Sequence, residues 1–352
     1  MAEFEKTLRW LEPYGGWHRY DTGLCNRIFH WEIAYELTRN NNLEYFIMLE
    51  KKFWPELKLI ELPKTKIAGF VEGDSHEIEK LKFITIHDTN VSLTKPLVFG
   101  NVSLAKALRF EELNQMFKDQ DLSLKGKGDH FYSDFGYTSI DSLYNRLPRN
   151  ERPLKLIKLR YKHIEDFLKF QMKDMVGIHM RRGHGITATK KDIDTLPKEI
   201  RKKYELFMDS KVSEHSQYKF IEDEKYFNMI ENMLKISPSQ KFYLSSDLPY
   251  ELFSYYVKRY PNNIVTKEDL MSSVYDYLIN ATHSKEEFDY GNIAENIVDL
   301  FSLSFCKFLV KSNKSTWSGF AQLYSDIPFV HVLDDWDDFS IKDKYKKVFN
   351  LV

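Results

Sequence analysis

The sequence predicts an α/β protein whose carboxyl-terminal half is a doubly wound parallel sheet. Three observations predict it. From residue 176 onward short apolar runs alternate with amphipathic helical stretches, polar residues collect where the runs end, and no internal repeat or low-complexity tract suggests another architecture. At 352 residues and 43% hydrophobic content the chain exceeds what one core sustains, so two domains are expected.

The elements follow in order. After GGWHRYDTG, residues 24–39 place Phe29, Ile33 and Leu37 at steps of four, and Asn40, Asn41 and Asn42 stop that helix. LEYFIML (43–49) reads as a strand, completing half of a parallel-sheet unit. ITIHDTN suggests another strand, helical pieces are expected around 104–118, and KGKGDHFYSDFGY reads as loop. Leu154, Ile157, Tyr161, Ile164 and Leu168 recur at helical spacing after Pro153. They predict a linker helix over 151–174 between an amino-terminal domain (1–150) and a carboxyl-terminal one (175–352). Downstream, strands are expected at 176–180, 242–245, 307–311 and 329–332, with a short one near 263–265. Helices are expected near 221–235, 249–259, 292–304 and 316–324.

Charge and cysteine content exclude several function classes. Lys and Arg number 51 against 52 Asp and Glu, so no global field favours nucleic acid, and an anionic ligand needs a local site. Cys25 and Cys306 are too few for a disulfide scaffold or a four-cysteine zinc site and suit a reducing compartment. With no leader-like amino terminus and no apolar window long enough to span a bilayer, a cytoplasmic protein is expected; peripheral membrane contact stays open. The 15% aromatic content is explained by packed cores.

The stretch VGIHMRRGHGI (176–186) carries the chemistry. An apolar strand ends on Arg181 and Arg182, with His179 inside it and His184 just beyond. In open α/β sheets ligands sit beyond the carboxyl ends of the strands. Two other strand ends are polar: Ser245, Ser246 and Asp247 after FYL, and KSNKSTWSGF, where Ser315, Thr316 and Ser318 open a helix. Helix amino termini and forked guanidinium donors both suit phosphate oxygens, so a diphosphate site is one reading. Surface salt bridging by the arginines and plain N-capping by the hydroxyls are the other. Neither a Walker A motif nor a GxGxxG turn after a strand is present.

HMRRGH resembles the H-x-R-R-x-D motif of the fucosyltransferase superfamily, the two-lobed GT-B enzymes that include α-1,2, core α-1,6, nodulation-type and protein O-fucosyltransferases. TGLCNRIFHWEIAYEL resembles their amino-terminal G-x-x-N-[QR] loop and helix. FYLSSD resembles the second motif, and NIVDLFSLSFCKFLVKSNKSTWSGFA resembles the third. The similarity covers roughly 15–49 and 175–332.

The resemblance implies two Rossmann-like lobes facing a cleft, with a GDP-sugar donor on the carboxyl-terminal lobe and a glycan or oligosaccharide acceptor facing the other. It implies transfer of a sugar, most often L-fucose, without a metal or other cofactor. By position, Arg181 would grip the pyrophosphate and Arg182 would pair nearby acids or the donor. His179 would lie beside the nucleoside, and Asp299 would accept from guanine N1 and N2. Ser315, Thr316 and Ser318 would contact phosphate, with Ser246 and Asp247 at the second strand end. Gly23, Asn26 and Arg27 would close over the donor. His184 stands where the motif has Asp, so no general base carries over; His184 is a candidate, with Asp192, Asp194, Asp21 and His18 behind it. Two alternatives remain: a silent module that binds a GDP-sugar or glycan, and a metal-dependent GT-A transferase using the DxD triplets at 192–194 or 335–337.

Overall fold

A computed structural model of the chain describes residues 8–9, 24–25, 28–29, 32, 47–50, 55–62, 68–71, 84–88, 130–133, 152–183, 186–209, 218–282, 291–312 and 315–351. The chain divides into two compact units, Met1–Lys158 and Leu159–Val352.

The described strands of the first unit include β1 (Leu8–Arg9), β2 (Ile47–Glu50), β3 (Ala68–Val71), β4 (Ile84–Asp88) and β5 (His130–Ser133), besides a two-residue strand at Ile60–Glu61. β4 lies between β1 and β5, β2 pairs with β3, and all of these pairings are parallel. The expected strand in ITIHDTN is β4. HFYS, expected as loop, is β5, because pairing of His130 to Ser133 with Thr85 to Asp88 overrides the glycine- and lysine-rich flank. Residues 24, 25, 28, 29 and 32 are helical and all buried, one face at helical spacing. That face ends on Glu32, whose carboxylate accepts from Arg152 Nε (3.1 Å) and Nη2 (2.8 Å), a two-pronged buried pair. The helical pieces expected at 104–118 lie outside the described residues.

The second unit is built on a five-stranded parallel sheet. Its strands are β6 (Val176–Met180), β9 (Phe242–Ser246), β10 (Ile264–Val265), β11 (Phe308–Lys311) and β12 (Phe329–His331). Across the sheet they run β10-β9-β6-β11-β12. Beside it, β7 (Ile186–Thr187) pairs in parallel with β8 (Tyr218–Lys219). The helices are α1 (Lys162–Met172), α2 (Lys190–Ile193), α3 (Lys198–Asp209), α4 (Asp223–Ile236), α5 (Tyr250–Arg259), α6 (Lys267–Thr282), α7 (Gly291–Phe305), α8 (Thr316–Ser325) and α9 (Phe339–Val348). Every strand and helix expected between 176 and 332 is present, while β7, β8, α2, α3 and α6 are additional elements that were not expected. The expected linker helix begins later, at Lys162; residues 153–156 form one 3-10 turn opened by Pro153, whose fixed φ suits a first helical position but supports no longer helix here. α1 belongs to this unit and packs on α7.

Side chains alternate across the sheet. Val176, Ile178, Met180, Phe242, Leu244, Phe308 and Val310 join the core under α4, α5 and α9, with Tyr226, Ile230, Phe253, Tyr256 and Tyr345. Gly177, Tyr243 and Ser245 face α7 instead. A Cβ at Gly177 would lie 2.7 Å from Leu303 Cδ1 and 3.1 Å from Cys306 Sγ, so glycine is what lets α7 approach β6. α7 is buried along most of its length, and Phe301 packs edge-on against Phe320 and Tyr324 of α8. Helices thus cover both faces, as an all-parallel sheet requires.

Because Leu303 Cδ1 can turn aside but Cys306 cannot, Gly177→Ala is expected to cost about 1 kcal/mol of stability and Gly177→Val about 3. Urea midpoints check both values.

Candidate functional site

Between β6 and β11 the strand order reverses, and the crevice beyond their carboxyl ends is where an open α/β sheet binds ligands. Both ends are polar. β6 runs into Arg181, which is half-buried, and β11 ends on Lys311 followed by buried Ser312. His179, within β6, meets Ser312 across the reversal, with Nδ1 and Oγ 3.1 Å apart. Burial, with the charges of Arg181 and Lys311, lowers the His179 pKa to about 3, so the ring is neutral at physiological pH.

Arg182 goes the other way. Its guanidinium is fully buried and pairs with Asp223 at the start of α4, while Nη1 donates to the Tyr255 hydroxyl (3.2 Å) and Nη2 to the Ile221 carbonyl (2.6 Å). The Phe220 ring lies 4.5 Å from its central carbon. Asp223 is held in turn by the hydroxyls of Tyr255 (2.7 Å) and Tyr256 (2.6 Å). Of the two uses the resemblance offered Arg182, the structure shows the pairing with an acid. Sealed in this cage, its guanidinium does not reach a ligand at the strand end, which corrects its expected place among the reacting groups.

The loop after β6 is held by Asp247, an exposed residue whose carboxylate accepts from the backbone N–H of Arg182 (2.7 Å) and of Gly183 (3.0 Å). Ser246 accepts from the Leu248 N–H (3.2 Å) in the same turn. From α3 the Tyr204 hydroxyl donates to the Arg182 carbonyl (2.7 Å). With three backbone groups of Arg182 and Gly183 bonded, little freedom is left in how Arg181 is presented.

Asp299, on α7, is buried, and burial raises its pKa to about 6 against the opposing effect of its hydrogen bonds. Oδ1 accepts from Tyr243 (2.8 Å); Oδ2 accepts from Ser245 (2.7 Å) and from Trp317 Nε1 (3.1 Å). A carboxylate offers about four lone-pair sites, and three are taken. The expected pair of bonds from guanine N1 and N2 would need two, so as arranged here Asp299 cannot serve them both.

α8 begins at Thr316, with extended Ser315 at its N-cap and no side-chain capping bond. The first amide in the helix ladder is that of Gly319, bonded to the Ser315 carbonyl (2.9 Å). Amides ahead of it have no partner within the helix, the usual basis for anion binding at such an end. Thr316 is half-buried there and Ser315 buried. Ser318 is fully buried, its hydroxyl turned back to the Ser315 carbonyl (3.3 Å), which corrects its expected phosphate contact.

Gly23, Asn26, Arg27 and His184 lie outside the described residues, as do His18 and Asp21. Asp192 closes a capping box with Thr189 at the start of α2, and Asp194 pairs with Arg201 (3.6 Å). In the second DxD triplet Asp335 accepts from the Asp337 N–H (2.9 Å) and Asp337 pairs with Lys342 (2.8 Å). Among the described residues no group of three His, Cys, Asp or Glu could hold a metal ion.

Reasoning from sequence placed Ser312 at the polar strand end without giving it a role, and passed over Lys311, Trp317 and the Asp223, Tyr255, Tyr256 cage. Lys311 and Ser312 had a signal in their place at the end of KFLVKS. The cage had none, since its members are 32 or more residues apart except for the two tyrosines.

No protein-family model matches the chain, and no curated protein does. Among solved structures it is similar to the fucosyltransferase NodZ from Bradyrhizobium, at 11% identity over 93% of this chain and 94% of that one, TM-score 0.41. A mutant of Arabidopsis thaliana FUT1 in complex with GDP aligns at 12% identity over 94% and 71%, TM-score 0.47. POFUT1 in complex with GDP-fucose aligns at 11% identity over 94% and 99%, TM-score 0.45. At such identities no residue's role passes from those proteins to this chain.

Removing Asp223 leaves a buried guanidinium without its counter-charge, so Asp223→Ala is expected to cost about 3–5 kcal/mol by urea denaturation. His179 gives a pH signature. Its folded pKa is depressed, so between pH 6.5 and about 3 the unfolded chain binds the extra proton and stability falls with acidification. Relative to His179→Asn, the wild type should lose stability below pH 6.5 with a slope approaching about 1.4 kcal/mol per pH unit. Asp299, with its raised pKa, tilts both proteins the opposite way between about pH 4 and 6 and cancels in the difference.

Proposed function

We propose that the protein is a glycosyltransferase of the GT-B kind, transferring a sugar, with L-fucose the leading candidate, from a GDP-sugar to a hydroxyl of a glycan acceptor. The reaction is inverting and needs no metal. The observation that carries this reading is the placement of half-buried Arg181 after β6 and of the amino terminus of α8 after β11, the two neighbouring strands at which the β10-β9-β6-β11-β12 parallel sheet reverses its order. The motifs of the fucosyltransferase superfamily fall on these same strand ends.

Transfer breaks the bond between the anomeric carbon and the diphosphate, and negative charge grows on the departing oxygen. Fixed donors aimed at that oxygen lower the barrier, provided they strengthen in the transition state. Arg181 supplies a full charge, and the first turn of α8 supplies oriented N–H groups with the positive end of the helix dipole. Asp247 and Tyr204 hold the loop that carries Arg181, so the charge is placed before the donor arrives. Metal independence is supported by the engagement of both DxD triplets in caps, turns and ion pairs. Neutral His179 is committed to Ser312 and is assigned no proton transfer; His184 is proposed as the base on its motif position alone.

A thermal-shift panel of GDP, UDP, CDP, ADP and GDP-sugars tests the reading. GDP and its sugars should stand out, since a ligand at 100 times its Kd stabilises by about 2.7 kcal/mol. Arg181→Ala should lower kcat by about 10² to 10³ with the fold intact. Full turnover in that variant, or release of no sugar from any GDP-sugar by the wild type, would refute the assignment, the second outcome leaving a binding module.

A further inference from the structure

The placement of Asp299 points to a role that the motif resemblance does not contain. Its carboxylate sits on α7, but its three donors come from two other elements: Tyr243 and Ser245 from β9, and Trp317 from the first turn of α8. Further along α8, Phe320 and Tyr324 are fixed by packing on Phe301, with ring centroids 6.0 and 5.3 Å away. The amino-terminal end buries Ser315 and Ser318 but has no aromatic packing of that kind among the described residues and no side-chain cap at Ser315. The side-chain hydrogen bond that ties that end to another element is donated by the indole N–H of Trp317, half-buried and 3.1 Å from Asp299 Oδ2.

We infer that Asp299 is a positioning residue: by holding Trp317, Ser245 and Tyr243 at once it orients the first turn of α8, and that orientation sets the affinity for a nucleoside diphosphate whatever base it carries. The inference rests on the nucleotide-binding reading above and makes it more specific. A base reader and a strut differ in what their loss does. Guanine and hypoxanthine share the N1–H, but only guanine has the N2 amino group. A carboxylate that reads the base therefore separates GDP from IDP, and one that braces a phosphate-binding turn treats them alike.

The test uses the full chain with Trp317→Phe, which keeps a smaller aromatic ring and deletes the single donor, and Asp299→Asn, which keeps the shape and removes the charge. Calorimetric Kd values for GDP and IDP are measured for each, with amide hydrogen exchange of residues 315–325 in the ligand-free proteins. The strut requires both nucleotides to weaken by the same factor, on the order of tenfold, in both variants. It also requires an unchanged GDP to IDP ratio and faster exchange in the first turn of α8. If Asp299→Asn abolishes a preference for GDP over IDP while Trp317→Phe leaves both affinities alone, Asp299 reads the base and the inference is overturned. Unaltered exchange in both variants overturns it equally. A wild type that binds neither nucleotide, with exchange still accelerated in both variants, leaves Asp299 as a brace of α8 but overturns its role in nucleotide affinity, along with the nucleotide reading.

Discussion

The second unit depends on the pleat of one strand. Successive side chains of an extended segment point to opposite faces, and β6 carries that alternation through its end. Gly177 and His179 lie toward α7, whereas Val176, Ile178 and Met180 enter the core under α4 and α5. The same parity separates the adjacent arginines. Arg182 falls into the cage of Asp223, Tyr255 and Phe220, and Arg181 stays half-buried on the side of His179, whose ring feels its charge. Two residues identical in chemistry become a bracket and a candidate ligand contact because they are one residue apart.

Around this strand, carboxylates act chiefly as scaffolding. Asp223 neutralises the buried guanidinium, Asp247 grips the two amides after Arg181, and Asp299 joins α7 to β9 and α8. Each accepts several bonds, which lowers the cost of removing a charge from water or of holding a loop open. The effect at the crevice is a cation and a helix amino terminus presented on rigid supports, with the anionic groups nearby already committed. Such an arrangement favours an anionic ligand and requires little reorganisation when charge develops on it.

The match between expectation and structure was uneven for identifiable reasons. Strands buried on both faces announce themselves as apolar runs, so β6, β9 and β11 were legible from composition and spacing alone; β12, a half-buried edge strand, was legible from its place in the alternation. β5 was not, because HFYS sits among glycines and lysines and becomes a strand only by pairing with β4. The periodicity that starts at Leu154 was real as burial, since Leu154 and Ile157 are in the core, but it spans a 3-10 turn and a two-residue strand, Lys158–Leu159, before α1 begins. Among the expected site residues, Arg181, Ser246 and Asp247 do lie at strand ends; Asp299 lies on a helix as expected, but protein donors already occupy the lone pairs it was expected to offer a ligand.

Taken alone, the order of residues determined the alternation of strands and helices after 176, the polar ends of β6, β9 and β11, and the chemistry concentrated there, because period and local polarity are properties of neighbours in the chain. Only the tertiary structure decided the strand order, the face to which each arginine turns, and the partners of Asp223, Asp247 and Asp299. Those depend on groups tens of residues apart meeting within a hydrogen bond's length, and no local pattern encodes which distant hydroxyl, amide or guanidinium will occupy a given lone pair.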